Sequence, residues 1–281
     1  MQDRAAFASV TIVADALSTL SIWLNPAGFA PGLLAAVAAC ILAAAILRGL
    51  TGFGFAIAAV PLLSLFVAPV LAVPLVVCLQ LFGNLFEIRA SVKDCHWPSF
   101  SWLTLGAAVG TPLGVLALSL ISAPSARLAI AALTAIAVVI LTRGLAFKAV
   151  PSAHAAVPVG ALAGLFNGLA AMPGPPVIAF YMASPVSRAV MRASLNVFFL
   201  VNAVVALASA FALQLVNWPI VVYTLLGLPV MFLGQRLGLR YFHRGSDRTH
   251  RLIAVVALAA IALGAAAKGF SEILGSMIRS S

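Results

Sequence analysis

Two short stretches carry the residues best suited to chemistry. The first reads Arg48-Gly49-Leu50-Thr51-Gly52-Phe53-Gly54; the second reads Gly164-Leu165-Phe166-Asn167-Gly168, followed by Met172-Pro173-Gly174-Pro175-Pro176. Each interrupts, near its middle, an apolar run too long for one helix, 31–67 and 158–183. Breaking a helix in hydrocarbon frees backbone N–H and C=O groups at a high cost, so a break needs a cavity or packed protein beside it. A half-helix starting at the break points its N–H groups and the positive end of its dipole into that space. Two such ends aimed at one site select for an anion. The candidate ligands are Arg48, Gly49, Thr51, Gly52 and Gly54 in the first break, and Asn167, Gly168 and Gly174 in the second. The plainer reading is that the glycines only let helices approach closely, a role that does not call for the prolines.

Arg48 is the charged residue adjoining a break. A cation at bilayer depth costs roughly 2.5–3.5 kcal/mol on insertion scales, which marks it as functional unless it reaches the surface by snorkelling. On the following apolar segment Gln80, Asn84 and Glu87 fall on one helical face. Asn202 stands at the matching place on the apolar segment after the second run, 118 positions on (202 − 84), with Asn196 a turn and a half before it. These amides either bind substrate oxygens or join helices, and Asn84 with Asn202 is the pair best placed to line a site. Glu87 is a candidate for coupling to a proton, although Arg89 and Lys93 beside it suggest an ion pair at the edge of a loop.

Catalysis finds no support. His96, His154, His243 and His250 lie in loops or at span ends without metal-ligand spacing, and no nucleophile elbow, phosphate loop or intramembrane carboxylate pair occurs. Neither a metal nor a cofactor is expected. The cysteines Cys40, Cys78 and Cys95 show no pairing pattern and read as small core residues.

The elements that must position these residues are set by composition. Of 281 residues, 64% are hydrophobic and 8% charged, with a mean hydropathy of +1.17. A soluble domain carries about a quarter charged residues, so lipid must face most of this chain. The net charge of +10 comes from Lys and Arg placed between apolar runs, a pattern that sets topology beside anionic headgroups and does not suit nucleic acid. The apolar runs are too long and too little alternating for strands, leaving an all-α membrane protein. Continuous spans are expected over 70–88, 99–121, 127–142, 195–216, 219–239 and 252–268. Residues 1–30 read as an extra span or an interfacial helix.

The two broken runs belong to a duplication. Gly49-Leu50 and Pro61 match Gly164-Leu165 and Pro176 at an offset of 115 (164 − 49; 176 − 61). Trp97-Pro98 matches Trp218-Pro219 at 121, and Arg127-Leu128 matches Arg251-Leu252 at 124. Offsets that drift upward in order are what loop insertions leave behind, and repeats with broken helices at matching positions suit a transporter. The halves are 31–147 and 148–281.

Charge sets the orientation. The segment 236–251 carries Arg236, Arg240, Arg244, Arg248 and Arg251 against Asp247 and should be cytoplasmic, as should the loops with Arg188 and Arg192 and with Arg143 and Lys148. Both ends of the second broken run then lie on one side, making it a re-entrant hairpin that turns near mid-membrane. Each repeat becomes one hairpin plus three spans, and the odd span number inverts the second copy relative to the first. Arg127 is left outside, against the charge rule.

At these residues the chain resembles the sulfite exporter TauE/SafE family, related to the toluene sulfonate uptake permeases. The likeness rests on Arg48-Gly49-Leu50-Thr51-Gly52-Phe53-Gly54, Pro61-Leu62-Leu63 and Ala72-Val73-Pro74, and recurs in Gly164-Leu165-Phe166-Asn167-Gly168, Gly174-Pro175-Pro176 and Asn202. It covers residues 31 to 270. The chain departs from many members at Ala170-Ala171-Met172-Pro173, where they are richer in glycine. The resemblance implies a multi-pass transporter of a bacterial inner membrane for sulfite, sulfonates or related organosulfur acids. Direction of transport, coupling to H+ or Na+, and assembly as a homodimer stay open. So do a channel or carrier for another small organic anion and a non-transporting scaffold.

Overall fold

The computed structural model describes residues 30–51, 54–143, 153–242 and 247–280. The N-terminal segment, Gly52, the Thr51 side chain and the loop with Lys148 lie outside the described residues. Eleven helices follow in order, and no strand occurs among the described residues. They are α1 (Pro31–Thr51), α2 (Phe55–Ser64), α3 (Pro69–Leu85), α4 (Ile88–Ser91), α5 (Trp97–Leu120), α6 (Ala123–Arg143), α7 (Ala153–Ala170), α8 (Gly174–Ala183), α9 (Arg188–Ala212), α10 (Trp218–Phe242) and α11 (Asp247–Ser280). Six of them contain a stretch long and apolar enough to cross a membrane: α1, α5, α6, α9, α10 and α11. The protein is a multi-pass integral membrane protein.

Local sequence sets the helix boundaries. Gly54 ends the first break with φ of 92°, a left-handed conformation that glycine adopts without a Cβ penalty. At the second break the left-handed position is taken by Ala171, with φ of 55°. Prolines open α3 and α8, where a missing N–H costs nothing. Ser187 caps α9, its hydroxyl accepting from the Val190 N–H at 3.3 Å.

That cap corrects the expected span 195–216. α9 starts seven residues earlier (195 − 188), so Arg188 and Arg192 ride on the helix instead of a loop. The expected span 70–88 stops at Leu85, giving 17 residues, and its continuation turns aside as α4. The last helix runs on to Ser280. Both hairpins are lopsided. α1 has 21 residues and α7 has 18, about 31 and 27 Å at 1.5 Å per residue, whereas α2 and α8 have 10 each, about 15 Å. The first arm of each is thus close to span length and only the second is a half-helix.

The tightest helix pairs join one sequence half to the other. α5 lies along α7 so closely that a Cβ on Gly110 would sit 2.0 Å from the Ala161 carbonyl oxygen, and one on Gly160 would sit 2.0 Å from that of Leu103. α10 lies along α1 in the same way, with Gly238 against Ile46 O and Gly49 against Gln235 O. Such backbone contact is the small-residue packing that holds membrane helices together without a hydrophobic driving force. In each pair residue numbers rise together along the contact, so the helices run parallel. One apolar cluster, with Leu103, Ala163, Val177, Tyr181 and Phe198, belongs to α5, α7, α8 and α9. The larger cluster centres on α1, α2, α3 and α6, with residues such as Ile41, Val60, Val76 and Ile130.

Arg127, the residue expected outside against the charge rule, is buried. It forms an ion pair with Glu272 of α11, and its Nε donates to Ser64 O at 2.7 Å. Lys268 donates to Leu65 O. Two cations therefore sit on the C-terminal carbonyls of α2, where the helix dipole is negative.

Candidate anion site

The two breaks meet. Gly54, Phe55, Ala56 and Ile57 from the first and Ala171, Met172, Pro173 and Gly174 from the second line a common small cavity of about 30 Å³. Gln80 of α3 ties them, its Nε2 donating to the Ala171 carbonyl at 3.1 Å. Ala171 is one of two non-glycine residues with positive φ among the described residues, and the Gln80 amide satisfies the carbonyl which that conformation turns out of the helix ladder.

Beside this floor opens a larger cavity of about 500 Å³. One wall is Arg48, Gly49 and Leu50 of α1 with Gln80 and Asn84 of α3, joined by Glu87; the other is Ile178 of α8 with Arg188, Arg192, Leu195, Asn196 and Phe199 of α9. Along α9 the lining residues recur at helical spacing from Arg188 to Phe199, eleven steps (199 − 188), about 16 Å along the helix. The mouth is charged, with Arg188, Arg192 and Glu87, and all three are exposed. Below the mouth the α1–α3 side carries Arg48, Gln80 and Asn84, and the α8–α9 side is apolar at Ile178, Leu195 and Phe199 apart from Asn196, whose Nδ2 donates to Ser91 Oγ at 2.9 Å.

Arg48 is half-buried in this wall. Its Nη2 donates to Asn84 Oδ1 at 3.2 Å, and Glu87 is within electrostatic reach of it. Asn84 is buried, and its Nδ2 has no hydrogen-bond partner. A buried amide N–H₂ left without an acceptor costs about 1–3 kcal/mol, and an anion oxygen in the cavity would relieve that. One wall of the cavity thus carries a fixed cation, a buried amide donor without an acceptor and a helix N-terminus.

The other sequence candidates divide. Arg48, Gly49, Gly54, Asn84 and Glu87 line the large cavity, and Gly174 lines the floor. Gly49 also packs on α10. Asn202 lies elsewhere, accepting from Thr111 at 3.0 Å and donating to Phe198 O at 3.2 Å, while its own carbonyl accepts from Asn167 at 3.0 Å. Asn167, Asn202 and Gly168 therefore join α5, α7 and α9, and Asn167 and Gly168 face a separate cavity of about 10 Å³. Thr51 and Gly52 fall outside the described side chains. Sequence reasoning did not single out Arg188, Arg192 or Phe199 as lining. Arg188, Arg192 and Phe199 follow one another at i, i+4 and i+11, one helical face, and that spacing was available once α9 was known to begin at Arg188.

A family comparison decides the lineage of this site. Residues 37–265 match the family model described as Sulfite exporter TauE/SafE. The chain belongs to the TauE/SafE family. The matched region contains both breaks and every residue of the cavity walls named above. Comparison with curated proteins and with solved structures returned no match. TauE/SafE is a transporter family, and membrane transport of sulfur anions such as sulfite is what membership suggests for this chain.

Proposed function

We propose that this TauE/SafE protein is a secondary carrier of small sulfur oxyanions, bound where the first helix break meets Arg48 and Asn84. The observation that carries the reading is the unpartnered Asn84 Nδ2, buried beside a fixed arginine in a cavity floored by both breaks. Arg48 supplies charge and Asn84 a neutral donor. The α2 N-terminus supplies backbone N–H groups and the positive end of its dipole. Arg188 and Arg192 at the mouth raise the local anion concentration. By charge counting the mouth faces the cytoplasm of a bacterium, with the protein in its inner membrane and open inward.

Alternating access needs two bodies that move around the site. The parallel packing of α5 on α7 and α1 on α10 supports an inverted repeat, because inversion of the second copy makes these cross-repeat pairs run the same way. It also argues against rocking one repeat on the other, which would tear backbone contacts closer than any side chain allows. The moving bodies are instead an α1–α2–α3–α10 bundle and an α5–α7–α8–α9 bundle, each borrowing one helix from the other repeat. They face each other across the cavity. Counterflow of labelled sulfite and small sulfonates in proteoliposomes tests the function: saturable exchange supports it, and exchange of only neutral or cationic solutes would sink it.

A further inference from the structure

The two breaks are chemically unequal, and the inequality orients a substrate. The first four N–H positions of a helix have no acceptor within it. At α2 these belong to Gly54, Phe55, Ala56 and Ile57, all of which carry an N–H. At α8 they belong to Pro173, Gly174, Pro175 and Pro176, and only Gly174 carries one. One break is a donor cluster; the other is nearly capped with ring carbons.

The side chains divide the same way. Arg48 and the idle Asn84 Nδ2, on a residue 3% exposed, stand on the α1–α3 wall with the α2 end. On the opposite wall, below Arg188 and Arg192 at the mouth, Ile178, Leu195 and Phe199 stand with one amide, Asn196, whose Nδ2 already donates to Ser91 Oγ at 2.9 Å. The Phe199 ring lies across the α8 end, since a Cβ on Gly174 would meet its Cζ at 3.4 Å.

We infer that the site, resting on the anion-carrier reading above, takes a sulfonate bearing a carbon chain, with the –SO₃⁻ group on the α2 end and the carbon part against the proline-capped α8 end and Phe199. Phe199 is then the specificity-determining side chain. Inorganic sulfite has oxygens for the donor side and nothing to place on the apolar side, where burying carbon releases water. The cavity of about 500 Å³ leaves room for the longer anion.

Calorimetric titration of the full chain in lipid nanodiscs with propane-1-sulfonate and with sulfite tests this. The wild-type protein binds the propanesulfonate about tenfold more tightly, as burial of two or three methylene groups allows. Phe199→Ala weakens propanesulfonate binding several-fold more than it weakens sulfite binding, removing most of that preference. The double variant Pro175→Ala, Pro176→Ala, which returns two N–H donors to α8, tightens sulfite binding. Sulfite bound as tightly as propanesulfonate by the wild-type protein overturns the inference without any variant, as does equal weakening of both anions in Phe199→Ala. Binding of sulfite alone overturns the inference and leaves the carrier reading standing; binding of neither overturns both.

Discussion

Arg48 Nη2 donates to Asn84 Oδ1 at 3.2 Å across 36 positions of sequence, joining α1 to α3 and leaving Asn84 Nδ2 buried in the cavity wall without a partner. The bond fixes both side chains in place before any ligand arrives, which lowers the ordering cost of binding. Arg48→Gln should cut anion counterflow about a hundredfold and Asn84→Leu about tenfold, in line with a charged and a neutral hydrogen bond to substrate. Both variants should elute as the wild type does in detergent. Undiminished flux in Arg48→Gln would return Arg48 to a purely structural role.

The close approach of α5 to α7 makes a stability prediction. Gly110→Ala should destabilise the protein by about 1–3 kcal/mol, because its new Cβ meets the Ala161 carbonyl and the backbones must separate. Gly264→Ala is the control: nothing lies within 4 Å of its Cβ, so it should be neutral or raise the melting temperature. Equal melting temperatures for Gly110→Ala and the wild type would mean that this interface slides freely.

Much of this fold was legible in the sequence, and the physical reason is the bilayer. Runs such as 99–121 must be helices because nothing else satisfies the backbone in lipid, and α5 departs from that expectation by only a residue or two. The breaks were legible because Gly54 and the Pro173–Pro176 cluster are costly inside an uninterrupted helix. Helix ends set by a side-chain cap were less visible. Ser187 lies in a stretch that reads as a basic loop, so hydropathy alone places the start of α9 seven residues late (195 − 188). Asn84 and Asn202 show the limit for the site. Both sit on matching apolar helices, yet one meets an arginine and a cavity while the other meets Thr111 and the Phe198 carbonyl. Which neighbour an amide faces depends on cross-half packing of α5 with α7, and hydropathy carries no record of that pairing.

Arg127 and Glu272 give a third prediction. Glu272→Gln strands a buried guanidinium and should lower stability by about 1–3 kcal/mol, at the modest end because Glu272 is 32% exposed. Arg127→Met combined with Glu272→Leu should cost less than the sum of the single changes in a thermal double-mutant cycle. Strict additivity would mean the two side chains are not coupled.

The bundle assignment predicts a pattern of distances. With spin labels on exposed positions, Leu105 of α5 and Leu162 of α7 should keep a constant separation when sulfite or propanesulfonate is added, although they lie in different sequence halves. Leu105 and Ala43 of α1, which share a sequence half, should change separation. The reverse pattern would show that the repeats themselves are the moving bodies.

The most direct test of the central claim is a map of the protein at saturating sulfonate. The account predicts density for the anion head between Arg48, Asn84 Nδ2 and the N-terminus of α2, with nothing at Asn202. Density for the anion at another place in the membrane domain, with the Arg48–Asn84 wall left empty, would contradict it.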